Sequence, residues 1–230
     1  MQKITDYIFD FSPKKLSIFL VLGPLALFFV HTVYTIVYRK ISDSSPSQEI
    51  GAQLILGILI LCLAALALLW LFWLRGTVNF VTESQLGLPR KWFQIAYTLL
   101  WVYVGYTFAI VIIEPFLNAQ SYGEDYLFLI YASRESVSFV GILIAYPIVC
   151  HYAARAATAK RNETPATFVQ AIPFTLILIF GTVLGVPFLQ KYFSTTPSTN
   201  TQIVSIYAIA FALFLLILVM GFIAAITGLD

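Results

Sequence analysis

The sequence predicts an all-α, polytopic transmembrane helical bundle of six spans with both termini cytoplasmic, and three observations carry that expectation. Sixty per cent of the 230 residues are hydrophobic and only 10 % are charged, whereas a soluble domain carries roughly 25 % charged residues. Mean hydropathy is +0.89. The apolar residues gather into six runs, each long enough to cross a hydrocarbon core of about 30 Å at about 1.5 Å per residue. Barrel strands would be about ten residues long with strict alternation, and the runs show none. Lipid offers the backbone no hydrogen-bond partner, which leaves helices.

Taken in order, residues 1–13 place Ile4, Tyr7, Ile8 and Phe11 at the spacing of one helix face, with Lys3, Asp6 and Asp10 elsewhere. This reads as a short amphipathic helix in the headgroup region, ended by Ser12-Pro13. The six spans follow at about 16–38, 51–74, 92–113, 136–154 (starting as early as 126), 168–189 and 202–227, in a single transmembrane domain over 1–230. The first apolar run is too long for a signal-peptide core and is expected to stay as a span. Pro147 and Pro173 fall inside spans, where each removes a backbone donor and bends the helix; Pro147 frees the carbonyl of Leu143.

The connections set orientation. Of the 13 Lys and Arg residues, nine fall on one side (Lys3, Lys14, Lys15, Arg75, Arg90, Lys91, Arg155, Lys160, Arg161) and four on the other (Arg39, Lys40, Arg134, Lys191). The positive-inside rule then places both termini in the cytoplasm. The sequon Asn162-Glu163-Thr164 lies on that inner side and is not expected to be glycosylated. Three of the tryptophans Trp70, Trp73, Trp92 and Trp101 lie near span ends, as an interfacial belt requires. Tyr103 and Tyr106 share a face of the third span.

Several function classes drop out. A net charge of +2 gives no nucleic-acid partner. Cys62 and Cys150 sit in apolar runs as packing residues rather than in a metal-ligand set. No H-E-x-x-H, G-x-S-x-G, intramembrane aspartate pair or phosphate loop is present. A bis-histidine haem fails on depth: His31 lies roughly 22 Å from the inner end of its span and His151 roughly 7 Å, whereas axial ligands share one level. No cofactor or metal is expected.

Charge inside lipid is costly, so intramembrane ionisable groups become candidates by default. Glu114 ends the third span, and Arg134 and Glu135 begin the fourth on the same side. The three form either a polar site for a cation, a proton or a headgroup, or an interfacial ion pair that snorkels to water. His151 and Arg155 are one helical turn apart, a pair suited to reading an anionic headgroup at the inner surface. The inner basic residues either form a lipid-phosphate patch or only set topology.

The lipid bilayer is one partner. Gly181 with Gly185, and Gly221 with Ala225, repeat the small-x-x-x-small step that lets helices approach closely, within the bundle or between subunits. There is also an internal echo: Arg75 and Arg155, Gln94 and Gln170, Pro115 and Pro187 recur at offsets of 80, 76 and 72. Each step differs by about one helical turn, as in a duplicated helical hairpin.

The stretch Ala153 to Tyr192 resembles the closing part of an uncharacterised family of bacterial multi-pass membrane proteins. That family has a linker of the A-x-x-A-K/E-x-x-R/E-x-A/P-T-F type and a span with a Gln- and Pro-containing exit. The residues that match are Ala157, Ala159, Lys160, Glu163, Ala166, Thr167, Phe168, Pro187 and Gln190; here Pro187 precedes Gln190. The resemblance implies a bacterial inner membrane and no particular activity. The function expected is a non-catalytic subunit, scaffold or ligand-binding component of a membrane assembly. The alternatives are a small transporter or channel working through Glu114, Arg134 and Glu135, and an intramembrane lipid-modifying enzyme.

Overall fold

The computed structural model describes residues 8–41, 46–119, 124–194, 196 and 199–226; side chains are described at 8–34, 54, 57–113, 130, 132–194, 196, 199–224 and 226. The helices in chain order are α1 Pro13–Ser17, α2 Gly23–Ile41, α3 Pro46–Asn79, α4 Glu83–Leu86, α5 Arg90–Ala119, α6 Glu124–Ser138, α7 Tyr146–Asn162, α8 Phe168–Gly181, α9 Val186–Gln190 and α10 Asn200–Ile226. Ile18–Leu22 and Phe139–Ala145 are π-helical, Thr182–Gly185 is a 3₁₀ turn, and no strand occurs among the described residues.

Six helical stretches are long and apolar enough to cross a membrane: Pro13–Tyr34, Gly57–Asn79, Arg90–Ile113, Ala132–Asn162, Phe168–Gln190 and Asn200–Ala224. The protein is therefore all-α with six spans, and large apolar side chains such as Leu61, Phe180 and Phe222 face outward, as lipid-facing helices require. Helices outlast the apolar runs at several ends. α3 continues past Leu74 because Thr77 Oγ1 bonds the Leu74 carbonyl at 2.8 Å and Val78 is fully buried. α7 carries Arg155, Lys160 and Arg161 within the helix and ends only where Glu163 turns left-handed, φ 55°.

The chain divides into two compact units, one containing residues 70–185 and the other 7–69 and 186–230. In the second unit, α10 turns Ile203, Ile206, Ala210, Ile217 and Ala224 inward, the positions of one helix face. That face packs on α1, the π turn and α2. Ser12 caps α1 by accepting from the Lys15 N–H at 3.3 Å, with Pro13 opening the helix. So Ser12-Pro13 starts the first span as well as ending the segment before it. Of that segment, residues 1–7 lie outside the described residues, while Ile8 and Phe9 are buried. The buried Gln190 amide donates to the carbonyls of Ile8 and Phe11, each at 3.2 Å, and Phe9 packs on Phe193.

In the first unit, α7 is the centre. Val149, Cys150 and every residue from Tyr152 to Ala159 are buried, so this stretch, about two turns from Tyr152 on, is surrounded on all faces. Its alanines let α8, α5 and α4 approach the backbone closely. The π stretch before α7 precedes Pro147, whose ring would otherwise meet the carbonyl one turn back; the wider turn is the local accommodation. Gly141 in that stretch lies under the Tyr103 ring, where a Cβ would overlap the ring atoms.

The fifth span is discontinuous. α8 stops at Gly181, Thr182 takes φ 45° and ψ −125°, and a 3₁₀ turn follows. A β-branched residue at positive φ is strained. A Cβ on Gly185 would meet the Ile177 carbonyl oxygen at 2.7 Å, so that glycine accommodates its own unit and offers no shared face with Gly181 to another helix. Gly221 has open space around it, and the Ala225 side chain lies outside the described residues.

Candidate functional site

The site is built on the hairpin that joins α3 to α5. Thr82 and Gln85 form a capping box, with the Thr82 N–H on Gln85 Oε1 at 2.9 Å and the Gln85 N–H on Thr82 Oγ1 at 3.4 Å. Gly87 ends the short α4 in the left-handed region, φ 64°. A second capping box, Thr167 with Gln170, opens α8. The Ala166 N–H donates to the Gln85 carbonyl at 2.9 Å and ties the two turns together.

Arg155 of α7 reaches into this junction. It is 6 % exposed, its Nη2 donates to the Ala166 carbonyl, and a Cβ on Gly87 would come within 2.6 Å of the same nitrogen. Glycine is thus favoured at 87 by φ, and a Cβ there would also crowd the Arg155 guanidinium and the Ala166 carbonyl. Tyr152, one turn earlier, donates its hydroxyl to the Pro89 carbonyl at 2.7 Å. α7 therefore fixes where α5 begins, and with it the position of Arg90.

Arg90 and Arg75 line a cleft of about 190 Å³ with Asn79, Gln94 and Thr98; Val78, Phe93 and Tyr97 form its apolar wall. Arg90 Nη2 donates to the carbonyls of Val78, at 3.4 Å, and of Val81. These belong to the last turn of α3 and the residues after it, where carbonyls lack intrahelical donors. Arg90 Nε is buried and meets no acceptor among the described residues. The Arg75 guanidinium is exposed and lies 5.8 Å from the Tyr97 ring centroid. The ring is held by its hydroxyl on the Leu71 carbonyl at 3.0 Å and by stacking on Phe93. No carboxylate among the described residues lines the cleft. Two guanidiniums, one pinned and one laid on an aromatic face, with neutral amide and hydroxyl groups beside them, carry the chemistry to pair with an anion.

The residues singled out from sequence are distributed differently. Arg134 and Glu135, on α6, are both exposed. The neighbouring Ser133 hydroxyl pairs with Tyr106 at 2.5 Å. Glu114 lies on α5, but its side chain is outside the described residues. His151 and Arg155 diverge despite their one-turn spacing. The Arg155 guanidinium is committed to Ala166. His151 is half-buried, its Nδ1 is 2.9 Å from Thr175 Oγ1, and its ring packs on Phe168. Because Thr175 donates its own proton to the Ala171 carbonyl at 2.9 Å, Nδ1 is the donor to Thr175. Nε2 is buried and meets no partner among the described residues. No set of three metal-ligating side chains assembles among the described residues.

In the sequence Arg75 and Arg90 stand among the inner basic residues, which either form a lipid-phosphate patch or only set topology. The signal that joins them is the brevity of the 80–89 connection. It brings the end of one helix beside the start of the next, so arginines just inside both ends share one depth. Comparison of the chain with known protein families, curated proteins and solved structures finds no match.

Proposed function

We propose that this protein is a non-catalytic, ligand-binding component of a membrane assembly, and that it holds an anionic group in the cleft between Arg75 and Arg90. The observation that supports this most is the cleft itself: about 190 Å³, lined by two guanidiniums and, among the described residues, by no acid. The tether of Arg90 to two backbone carbonyls means that little side-chain freedom is lost when an anion arrives. By the excess of Lys and Arg on its side of the spans, the cleft faces the cytoplasm. The resemblance of Ala153 to Tyr192 to bacterial multi-pass proteins supports a bacterial inner membrane as its location.

The test is equilibrium dialysis of glycerol phosphate against the purified protein. Saturable binding is expected. A charge-assisted contact contributes about 1.5–3 kcal/mol, so Arg75→Gln should weaken binding by about tenfold or more. Arg75 is exposed at the rim, so the fold should survive its replacement. Absence of saturable binding, or an unchanged affinity in Arg75→Gln, would overturn the proposal.

One observation favours a second reading, a small transporter: the break in the fifth span at the strained Thr182. Discontinuous helices are how transporters expose backbone groups to a substrate at mid-depth. In that case reconstituted protein would show solute flux that falls when Arg134 or Glu135 becomes Gln. Unchanged flux would remove those two residues from the mechanism.

A further inference from the structure

We infer that the anion held by Arg75 and Arg90 is the phosphate of an anionic glycerophospholipid, with one acyl chain laid along α5 below the cleft; this rests on the cleft's being an anion site. The cleft opens onto a strip. Thr98, one of its lining residues, is followed along α5 by Val102, Gly105, Ala109 and Ile112, all exposed. Steps of four, three, four and three residues keep them on one side of the helix.

The strip has relief. A Cβ at Gly105 would meet nothing within 4 Å, and Ala109 adds only a methyl group, so the middle of the strip is low between Val102 and Ile112. From residue 98 to 112 the helix rises about 21 Å, more than one leaflet of a hydrocarbon core about 30 Å thick. α5 is itself one of the helices long and apolar enough to cross a membrane, Arg90–Ile113, which would set this strip against lipid tails along its length. A free phosphate would gain only from the guanidiniums. A phospholipid gains from the guanidiniums and from a groove of the right length leading away from them. That match of an anionic head to the basic cleft, and of an apolar tail to the adjoining strip, selects the lipid.

The experiment is native mass spectrometry of the purified, detergent-solubilised protein exposed to equal amounts of phosphatidylglycerol and phosphatidylcholine with identical chains. Glycerol phosphate is titrated in parallel. Retention of phosphatidylglycerol over phosphatidylcholine by about tenfold is expected, and should disappear in Arg75→Gln. Gly105→Leu and Ala109→Leu, which fill the groove from open positions, should each lower phosphatidylglycerol retention several-fold and leave glycerol phosphate binding unchanged. If glycerol phosphate binds but the two lipids are retained equally, the lipid assignment is wrong and the anion site stands. If neither glycerol phosphate nor phosphatidylglycerol is favoured, both fail. Preference for phosphatidylglycerol that survives both groove variants refutes the placement of the acyl chain.

Discussion

Replacing Tyr146 by Phe removes one oxygen and leaves the ring that packs on Trp70. The lost hydroxyl donates to two carbonyls of α8, Leu178 at 2.7 Å and Ile179 at 2.9 Å. Ile179 lies in the last turn of that helix, where carbonyls lack intrahelical donors, and the helix ends at Thr182, φ 45° and ψ −125°. The Thr182 N–H takes the Leu178 carbonyl. No water is at hand in a hydrocarbon environment to replace the phenol. Side-chain hydrogen bonds between helices in membrane proteins contribute about 0.6 kcal/mol on average and up to about 1.7. One hydroxyl shared by two carbonyls belongs at the upper end, so Tyr146→Phe should cost about 1–1.7 kcal/mol. Tyr97→Phe is the internal comparison, since that hydroxyl meets a single carbonyl, Leu71, at 3.0 Å; about 0.6 kcal/mol is expected. Reversible unfolding in mixed micelles, titrated with a denaturing detergent, measures both. A Tyr146→Phe variant as stable as the parent, or a Tyr97→Phe variant that loses more, would show that these carbonyls are satisfied in some other way.

Thr182→Gly should stabilise the protein by about 1 kcal/mol: relief of a strained positive φ is worth about 1–3 kcal/mol, offset by about 0.5–1 for glycine's extra freedom in the unfolded chain. Thr182→Ala keeps the strain and should not, and a melting-temperature comparison of the two separates strain from side-chain loss. Gly141→Ala should destabilise by about 1–3 kcal/mol, because the new methyl group overlaps the Tyr103 ring; the same unfolding titration reads it. Gln190→Leu withdraws the donor shared by the Ile8 and Phe11 carbonyls. Hydrogen exchange of the peptide covering residues 8–12 should quicken while that of α7 is unchanged, and a protected peptide would count against Gln190 as the fastener.

The six spans were legible because a hydrocarbon core imposes a minimum length, and nothing else in the chain satisfies it. Their ends were less legible, for an identifiable reason. Apolarity reports where lipid stops, whereas a helix stops where its hydrogen bonds run out. Arg75 looked like the exit of the second span, yet the helix runs to Asn79 under Thr77 and the capping Arg90. The G-x-x-x-G at 181–185 misled in a related way. Two glycines four apart share a face only in an α-helix, and the 3₁₀ turn at Thr182–Gly185 rotates Gly185 onto Ile177 of its own unit.

The charged residues show the same gap between position and environment. In the sequence, Glu114, Arg134 and Glu135 at outer span ends and Arg155 at an inner one stand as candidates for function, and Arg90 as one of the inner basic residues. Arg134 and Glu135, at the start of the fourth span, are exposed, and a long side chain near a helix end can reach water by snorkelling. Arg90 and Arg155, at the ends of spans, are instead held by backbone carbonyls of other segments. A guanidinium fastened in that way cannot snorkel, and its charge stays where the fold puts it. For Arg155 that place is a buried junction between two capped turns, and the charge serves the fold. For Arg90 it is the wall of a cleft shared with Arg75, where a fixed positive charge is available to something that arrives from outside. What sets the cation proposed to bind apart from a topological one is the tether and the opening beside it. Neither is written in a run of apolar letters, but both follow once the short 80–89 connection is seen to set two helix ends side by side.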